Sequence, residues 1–214
     1  VVSKNQKGHK MTAAPVIYHP ITTQHRLTAD DFMAQYADNP ERYQLIEGEV
    51  ISPPMAKQVH QFIITQLMWF LSNVVLPQQV GRLYTAPMDL YLDGQNYYQP
   101  DIFFVARDNP RCVLTENDIW RGPPDLVVEV LSKSTAKHDR LEKFDAYEHN
   151  GVREYWMIDP DVRLVEVYTL NEQGAYQRRA YADGDTFQSN VLPSLTIEVS
   201  ALFPPEAPDT DHAA

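Results

Sequence analysis

The chain has 214 residues, 43% of them apolar, enough to build a core for one domain with arms. Its formal net charge of −11 argues against a strongly basic, sequence-blind nucleic-acid binder. No uninterrupted run of eighteen apolar residues occurs, so no membrane span is expected, and a single cysteine, Cys112, excludes an internal disulfide and fits a reducing cytoplasm.

Residues 1–10 are polar and lack the apolar stretch of a secretory signal; Met11 reads as the natural start, with the preceding residues contributing little to the fold. Thr28 followed by Ala-Asp-Asp-Phe reads as an N-cap with acidic first-turn residues, predicting a helix over Thr28 to Tyr36 that Pro40 closes. Tyr43 to Ile51 has strand character with a kink at Gly48. Val59, Phe62, Ile63, Leu67, Phe70, Leu71 and Val74 recur at helical spacing, predicting a long core helix from Lys57 until Pro77. Arg82 to Leu92 reads as a strand, Asp93-Gly94 as a hairpin turn, and Tyr97 to Val105 as the partner strand. The segment from Arg107 to Pro124 is polar, with several turn formers, and reads as a loop with room for one helical turn. Asp125 to Leu131 is a central strand, and Ser134 to Asn150 a helix with Leu141, Phe144 and Tyr147 inward and Gly151 as its stop. Glu154 to Ile158, Arg163 to Leu170, Tyr176 to Ala182 and Leu195 to Val199 add strands, the first two joined by a Pro160-Asp161 turn. The order predicts a mixed α/β domain with a central sheet, in which the passage from Asp125 to Ile158 is a candidate parallel crossover. Residues 1–27 are an N-terminal arm, 28–203 the folded domain and 204–214 a disordered acidic tail.

One residue stands out in the central strand. Leu126-Val127-Val128-Glu129-Val130-Leu131 is apolar except for Glu129, and such a run reads as a strand covered on both faces. An unpaired carboxylate there costs several kcal/mol or more, so Glu129 calls for a cation, a metal or a proton. Asp125 shares its face but lies about 13 Å along the strand, too far to share one ion, and is better read as a strand-start turn residue. Asp101, just before Ile102-Phe103-Phe104-Val105, can meet Glu129 if the two strands are neighbours, about 4.8 Å apart. Oxygen donors of this kind suit Mg²⁺ or Mn²⁺. The basic residues Lys133, Lys137, Arg140 and Lys143 gather just after Glu129, and their simplest explanation is a solvated helix face. Cys112 has no flanking signature of a nucleophile and reads as an inert thiol.

Several segments together carry a family resemblance. They are Arg42 through Glu49; Gln99-Pro100-Asp101-Ile102; Pro124 through Ser132; Asp139 through Tyr147; Gly151 through Pro160; and Leu192-Pro193-Ser194-Leu195. This ordered set, spanning about Thr28 to Phe203, resembles the Uma-type family of putative restriction endonucleases within the PD-(D/E)XK nuclease superfamily. The resemblance implies a restriction-endonuclease-like core, a mixed central sheet flanked by helices with additional antiparallel strands, and a metal-dependent hydrolase of DNA phosphodiester bonds. It places Asp101 as the metal-binding aspartate and Glu129 as the second acid. The superfamily lysine, two residues after that acid, is replaced here by Leu131; the family match assigns its role to Lys143 on the following helix, with Lys133 as the other candidate. Gln44 stands where the family usually has an acid. Glu47 or Glu49 could substitute only with the right register; on one regular strand Gln44 and Glu49 point to opposite faces unless Gly48 forms a bulge. Ser132 and Gln44 are supporting residues, and His60, early in the long helix, is a candidate substrate contact that is more simply an exposed or capped histidine.

The implied chemistry uses Mg²⁺ or Mn²⁺, with Lys143 orienting hydroxide or stabilising transition-state charge. A homodimer is expected, because a small nuclease often needs two sites to cut both strands, with Tyr97, Tyr98 and Trp120 as candidate surface contacts. Two alternatives remain open: a nuclease-fold module that binds nucleic acid or protein without cutting, favoured by Gln44 and the −11 charge, and a β-rich domain in which Glu129 merely pairs with an internal lysine or arginine.

Overall fold

The structure, a computed structural model, describes residues 26–36, 43–52, 57–132 and 136–205. Pro40, Lys133, the first 25 residues and the tail from 206 lie outside the described residues. Helix α1 (Ala29–Tyr36) begins as predicted. The Thr28 hydroxyl accepts the Asp31 N–H at 3.1 Å and donates to the Asp31 carboxylate at 2.7 Å, a capping box with Asp as its acid.

Strands β1 (Gln44–Ile46) and β2 (Glu49–Ile51) replace the single kinked strand expected over this stretch. Glu47 and Gly48 both have positive φ, 47° and 80°, so the chain reverses in a tight hairpin turn of the kind favoured by strand twist. The register pairs Gln44 with Ile51 and Ile46 with Glu49. Cross-strand partners share a face, so Gln44 and Glu49 lie on the same side, contrary to the one-strand expectation. Glu49 is exposed there, whereas Gln44 is buried.

Helix α2 (Gln58–Gln78) extends just past Pro77, which sits in its last turn; Gln79 closes it in the left-handed conformation. Its stripe of Ile63, Leu67, Leu71 and Val75 is fully buried. By length and composition alone α2 could cross a membrane, but this stripe packs against the main sheet.

The next two predicted strands each divide at a proline, which cannot donate to a ladder. Strand β3 (Gly81–Thr85) is separated from β4 (Leu90–Asp93) by a turn containing Pro87, and β5 (Asn96–Tyr98) from β6 (Ile102–Ala106) by Pro100. In both cases the chain crosses from one sheet to the other. The β4–β5 hairpin forms across Asp93-Gly94 as expected. The loop that follows carries two short strands, β7 (Val113–Leu114) and β8 (Trp120–Arg121). Then come β9 (Leu126–Val130), α3 (Ala136–Arg140), α4 (Glu142–Asn150), β10 (Glu154–Asp159), β11 (Leu164–Leu170), β12 (Tyr176–Tyr181), β13 (Thr186–Gln188), β14 (Thr196–Glu198) and a final 3₁₀ turn over Val199–Leu202.

The main sheet has the order β12-β11-β10-β9-β6-β3, and the second β2-β1-β5-β4-β8-β7. Within the main sheet β9 and β10 are parallel, as the crossover reading anticipated, and their neighbours are antiparallel. One face, through Phe104, Val128, Trp156 and Ile158, packs on α2 and on residues of the C-terminal segment such as Phe187 and Ile197. The other, through Phe103, Val127, Tyr155 and Met157, packs on the second sheet and on Ala146 and Tyr147 of α4. Helix α1 packs on the remaining side of the second sheet, Phe32 against Leu45 and Tyr97. Tyr97, Tyr98 and Trp120 are therefore core residues and cannot be the surface contacts of a dimer. Cys112 is also buried, and burial pushes its thiol up to about 12, as befits an unreactive side chain.

Candidate active site

Glu129 lies in the middle strand of the main sheet, on the face turned toward the second sheet and α4, and is 4% exposed. Its Oε1 accepts a hydrogen bond from Lys143 Nζ at 2.8 Å and from the Tyr147 hydroxyl at 3.1 Å. Lys143 is equally buried and also lies 3.1 Å from Asp139 Oδ1, four residues earlier. The expected solvated basic face thus does not describe Lys143. The predicted helix breaks at Leu141, whose φ and ψ of −120° and −76° are not helical. After the break Leu141 is 55% exposed, and Lys143, Ala146 and Tyr147 form the inner face. Two carboxylates inside explain why a lysine takes an inward position that periodicity assigned to a leucine. Gly151 ends α4 at a φ of 79°, which a residue without Cβ adopts readily.

Asp101 reaches the same place from the adjacent strand. Ile102 pairs with Val128, so Asp101 comes alongside Glu129. Its Oδ2 accepts the Val130 N–H at 2.7 Å and lies 3.1 Å from His60 Nε2. His60 is thus neither a free surface histidine nor a helix cap; it leans from the first turn of α2 onto Asp101, mostly buried. Asp125 behaves as its turn reading required: it accepts from the Ala106 N–H and the Asn109 amide and pairs with Arg153, all away from Glu129's partners. Ser132 is half-buried just beyond the end of β9.

Charge in this cluster is unbalanced. Asp101, Glu129 and Asp139 face one ammonium, Lys143, and one imidazole, His60. Burial raises the Glu129 carboxyl; Lys143 opposes this, Asp139 and Asp101 add to it, and it settles at about 8. Burial disfavours the Lys143 ammonium, but Asp139 and Glu129 outweigh that and hold it protonated. Burial likewise lowers His60, and the bond to Asp101 with the charges of Glu129 and Asp139 more than offsets it, leaving the imidazole raised. The phenol of Tyr147 is raised by burial and by Glu129, so it remains a donor.

The donors fit a hard divalent cation in kind. Mg²⁺ is commonly held by only one or two protein carboxylates, with water and substrate oxygens completing its shell. Asp101 and Glu129 provide that pair, and a bound cation would take the place of the proton that the raised Glu129 carboxyl otherwise holds. Gln44 is on the same layer, its face shared with Ile46 and Ile51 of the core that contains Val127, and its buried Oε1 has no hydrogen-bond partner among the described residues. Among those residues no group of three His, Cys, Asp or Glu side chains forms a metal cage. Asp139 escaped the sequence reading although its signal was present: an acid four residues before a lysine on a helix. Tyr147 was recognised only as a core residue.

Against known proteins, the chain matches the Uma2 family, described as a putative restriction endonuclease, over residues 29–200. The chain belongs to this family. It is 28% identical over 159 residues to the uncharacterized Synechocystis protein sll1609, an alignment covering 69% of this chain and 83% of that protein. A second Synechocystis protein, slr1290, is 23% identical over 182 residues, covering 83% and 92%. The fold is similar to the crystal structure of a putative nuclease of the DUF820 group from Anabaena variabilis, with a TM-score of 0.68 and 23% identity, covering 83% of this chain and 97% of that one. This Uma2 chain accordingly has the nuclease-like mixed α/β fold that its sequence implied.

Proposed function

We propose that this Uma2 protein is a metal-dependent endonuclease that hydrolyses DNA phosphodiester bonds, with Asp101 and Glu129 holding Mg²⁺ or Mn²⁺ and Lys143 as the catalytic cation. One observation carries this reading. A glutamate in the middle of the central sheet is bonded to a lysine from the following helix and flanked by an aspartate on the neighbouring strand. Bound metal would supply a Lewis acid for the phosphoryl oxygen and a water of lowered pKa.

The chain's own residues have separate tasks. Lys143, kept charged by Asp139, brings a fixed positive charge to where the phosphoryl group gains negative charge. Tyr147 holds Glu129 in place, and His60 with the Val130 N–H holds Asp101. Gln44 offers a neutral oxygen where the family resemblance implies an acid. The test is cleavage of supercoiled plasmid with Mg²⁺ or Mn²⁺, with an RNA substrate alongside. Nicked and linear products that vanish with EDTA and in Asp101→Ala support the reading. Absence of cleavage on every substrate, together with equal Mn²⁺ binding by wild type and Asp101→Ala, sinks it.

A second reading, a nuclease-fold module that binds without cutting, is favoured by Gln44 and by the Lys143 ammonium seated on Glu129. Calorimetric titration separates the two: no Mn²⁺ binding up to millimolar concentration, with DNA or protein binding retained, selects the module.

A further inference from the structure

Helix α2 contains no Asp, Glu, Lys or Arg anywhere from Gln58 to Gln78, in a chain of net charge −11. Its buried stripe faces the sheet, yet its opposite face is also partly apolar. Trp69 is 60% exposed and Leu76 66% exposed, and Phe62 lies half-buried on the same side. Phe62, Trp69 and Leu76 are each seven residues apart, so they form one line down the helix. The Trp69 and Phe70 rings meet in a T shape, with centroids 4.8 Å apart.

We propose that this face is the interface of a two-fold dimer in which α2 pairs antiparallel with α2 of a second copy, the axis passing at Trp69. The pattern of the face selects a second copy over an unrelated partner. In an isologous contact each residue meets the residue equally far on the other side of the axis. About Trp69, Phe62 meets Leu76, Thr65 meets Asn73 and Gln66 meets Ser72: apolar on apolar, polar on polar, aromatic on aromatic at the centre. Charge selects it as well. Two chains of net charge −11 repel over most of their surface, and this neutral face lets them approach without burying a like charge.

The experiment is sedimentation velocity on the full chain over a dilution series, with Trp69→Glu and Leu76→Glu. Both substitutions are at exposed positions, and circular dichroism checks that the variants fold. Wild type is expected at the mass of two chains when concentrated, and both variants at the mass of one. Trp69 fluorescence gives a second readout. Trp120 and Trp156 are buried, so dilution should red-shift emission in wild type and leave Trp69→Phe unchanged. A nitroxide at residue 58 reports direction: antiparallel pairing about Trp69 separates the two labels by about 33 Å along the axis, at 1.5 Å per residue. The proposal is overturned by a wild type of one-chain mass at all concentrations, by a Trp69→Glu variant that stays two-chain, or by closely spaced labels. Capture of a monomeric wild type on neutral lipid vesicles would assign the face to a membrane surface and overturn it too.

Discussion

Two glutamates are buried on adjacent parallel strands of the main sheet, and the chain accommodates them differently. Glu154, on the α2 face, accepts hydrogen bonds from the Trp156 indole at 2.8 Å, the Ser189 hydroxyl at 2.9 Å and the Val191 N–H at 2.8 Å. These donors are neutral, and they tie the loop after β13 to the sheet. Glu129, on the other face, is bonded to an ammonium and a phenol and sits near two more carboxylates. Burial raises both carboxyls, and at Glu154 the surrounding donors oppose that rise. A glutamate that only joins two segments is satisfied by neutral donors. A surplus of acids held at a cost in the interior is the arrangement expected of the proposed site. Glu166 makes the contrast sharper, since its two arginines, Arg140 and Arg178, hold its carboxyl below the ordinary range despite burial.

The largest expected effect on stability comes from removing the cation. Lys143→Met leaves Glu129 and Asp139 buried without their shared partner, which should cost about 3–5 kcal/mol in chemical denaturation at neutral pH. The loss should be larger at pH 9, where Glu129 gives up its proton and comes to need the ammonium. An equal loss at both pH values would show that Lys143 acts through packing and not through charge.

Next is Glu154→Gln. Its amide places N–H groups against existing donors, and the expected loss is about 1–3 kcal/mol, with cleavage per folded molecule unchanged. Glu129→Gln should invert this pattern: a melting temperature near that of wild type, with cleavage reduced by about 10²–10³-fold if Glu129 serves the reaction. Equal cleavage by Glu129→Gln and wild type would remove the distinction between the two glutamates. Glu129→Leu extends the test, because a purely structural pairing predicts a stable or stabilised protein with no function lost.

How much of this was legible in the sequence depends on the kind of signal. Glu129 was conspicuous because its six-residue neighbourhood is otherwise apolar, and Asp101 followed from a neighbouring strand that the sheet does provide. The hairpin at Glu47-Gly48 was missed because Glu is an uncommon residue for a positive φ, and the strand breaks were missed although Pro87 and Pro100 signal them. Lys143 was anticipated by resemblance, while helical periodicity pointed the other way, toward Leu141. Periodicity assumes one unbroken helix, and the structure breaks it at Leu141. The His60–Asp101 contact joins residues 41 apart and had no local signal at all.

The smallest expected effect is a slope. His60 has its pKa raised in the fold, so the stability from its pair with Asp101 is fully present below its ordinary value of about 6.5 and is lost as pH rises through the raised one. Glu129 acts in the same direction: its carboxyl is raised from 4.5 to about 8, so the fold retains a proton that the unfolded chain releases, and stability falls across that window. Melting temperature measured without added metal should therefore decline from pH 6 to pH 9. His60→Gln removes the histidine's share and leaves that of Glu129, so its decline should be shallower, with most of the difference above pH 6.5. If the two curves are parallel, the imidazole carries no proton onto Asp101, and the charge surplus on this face of the sheet is larger by one than the contrast with Glu154 assumes.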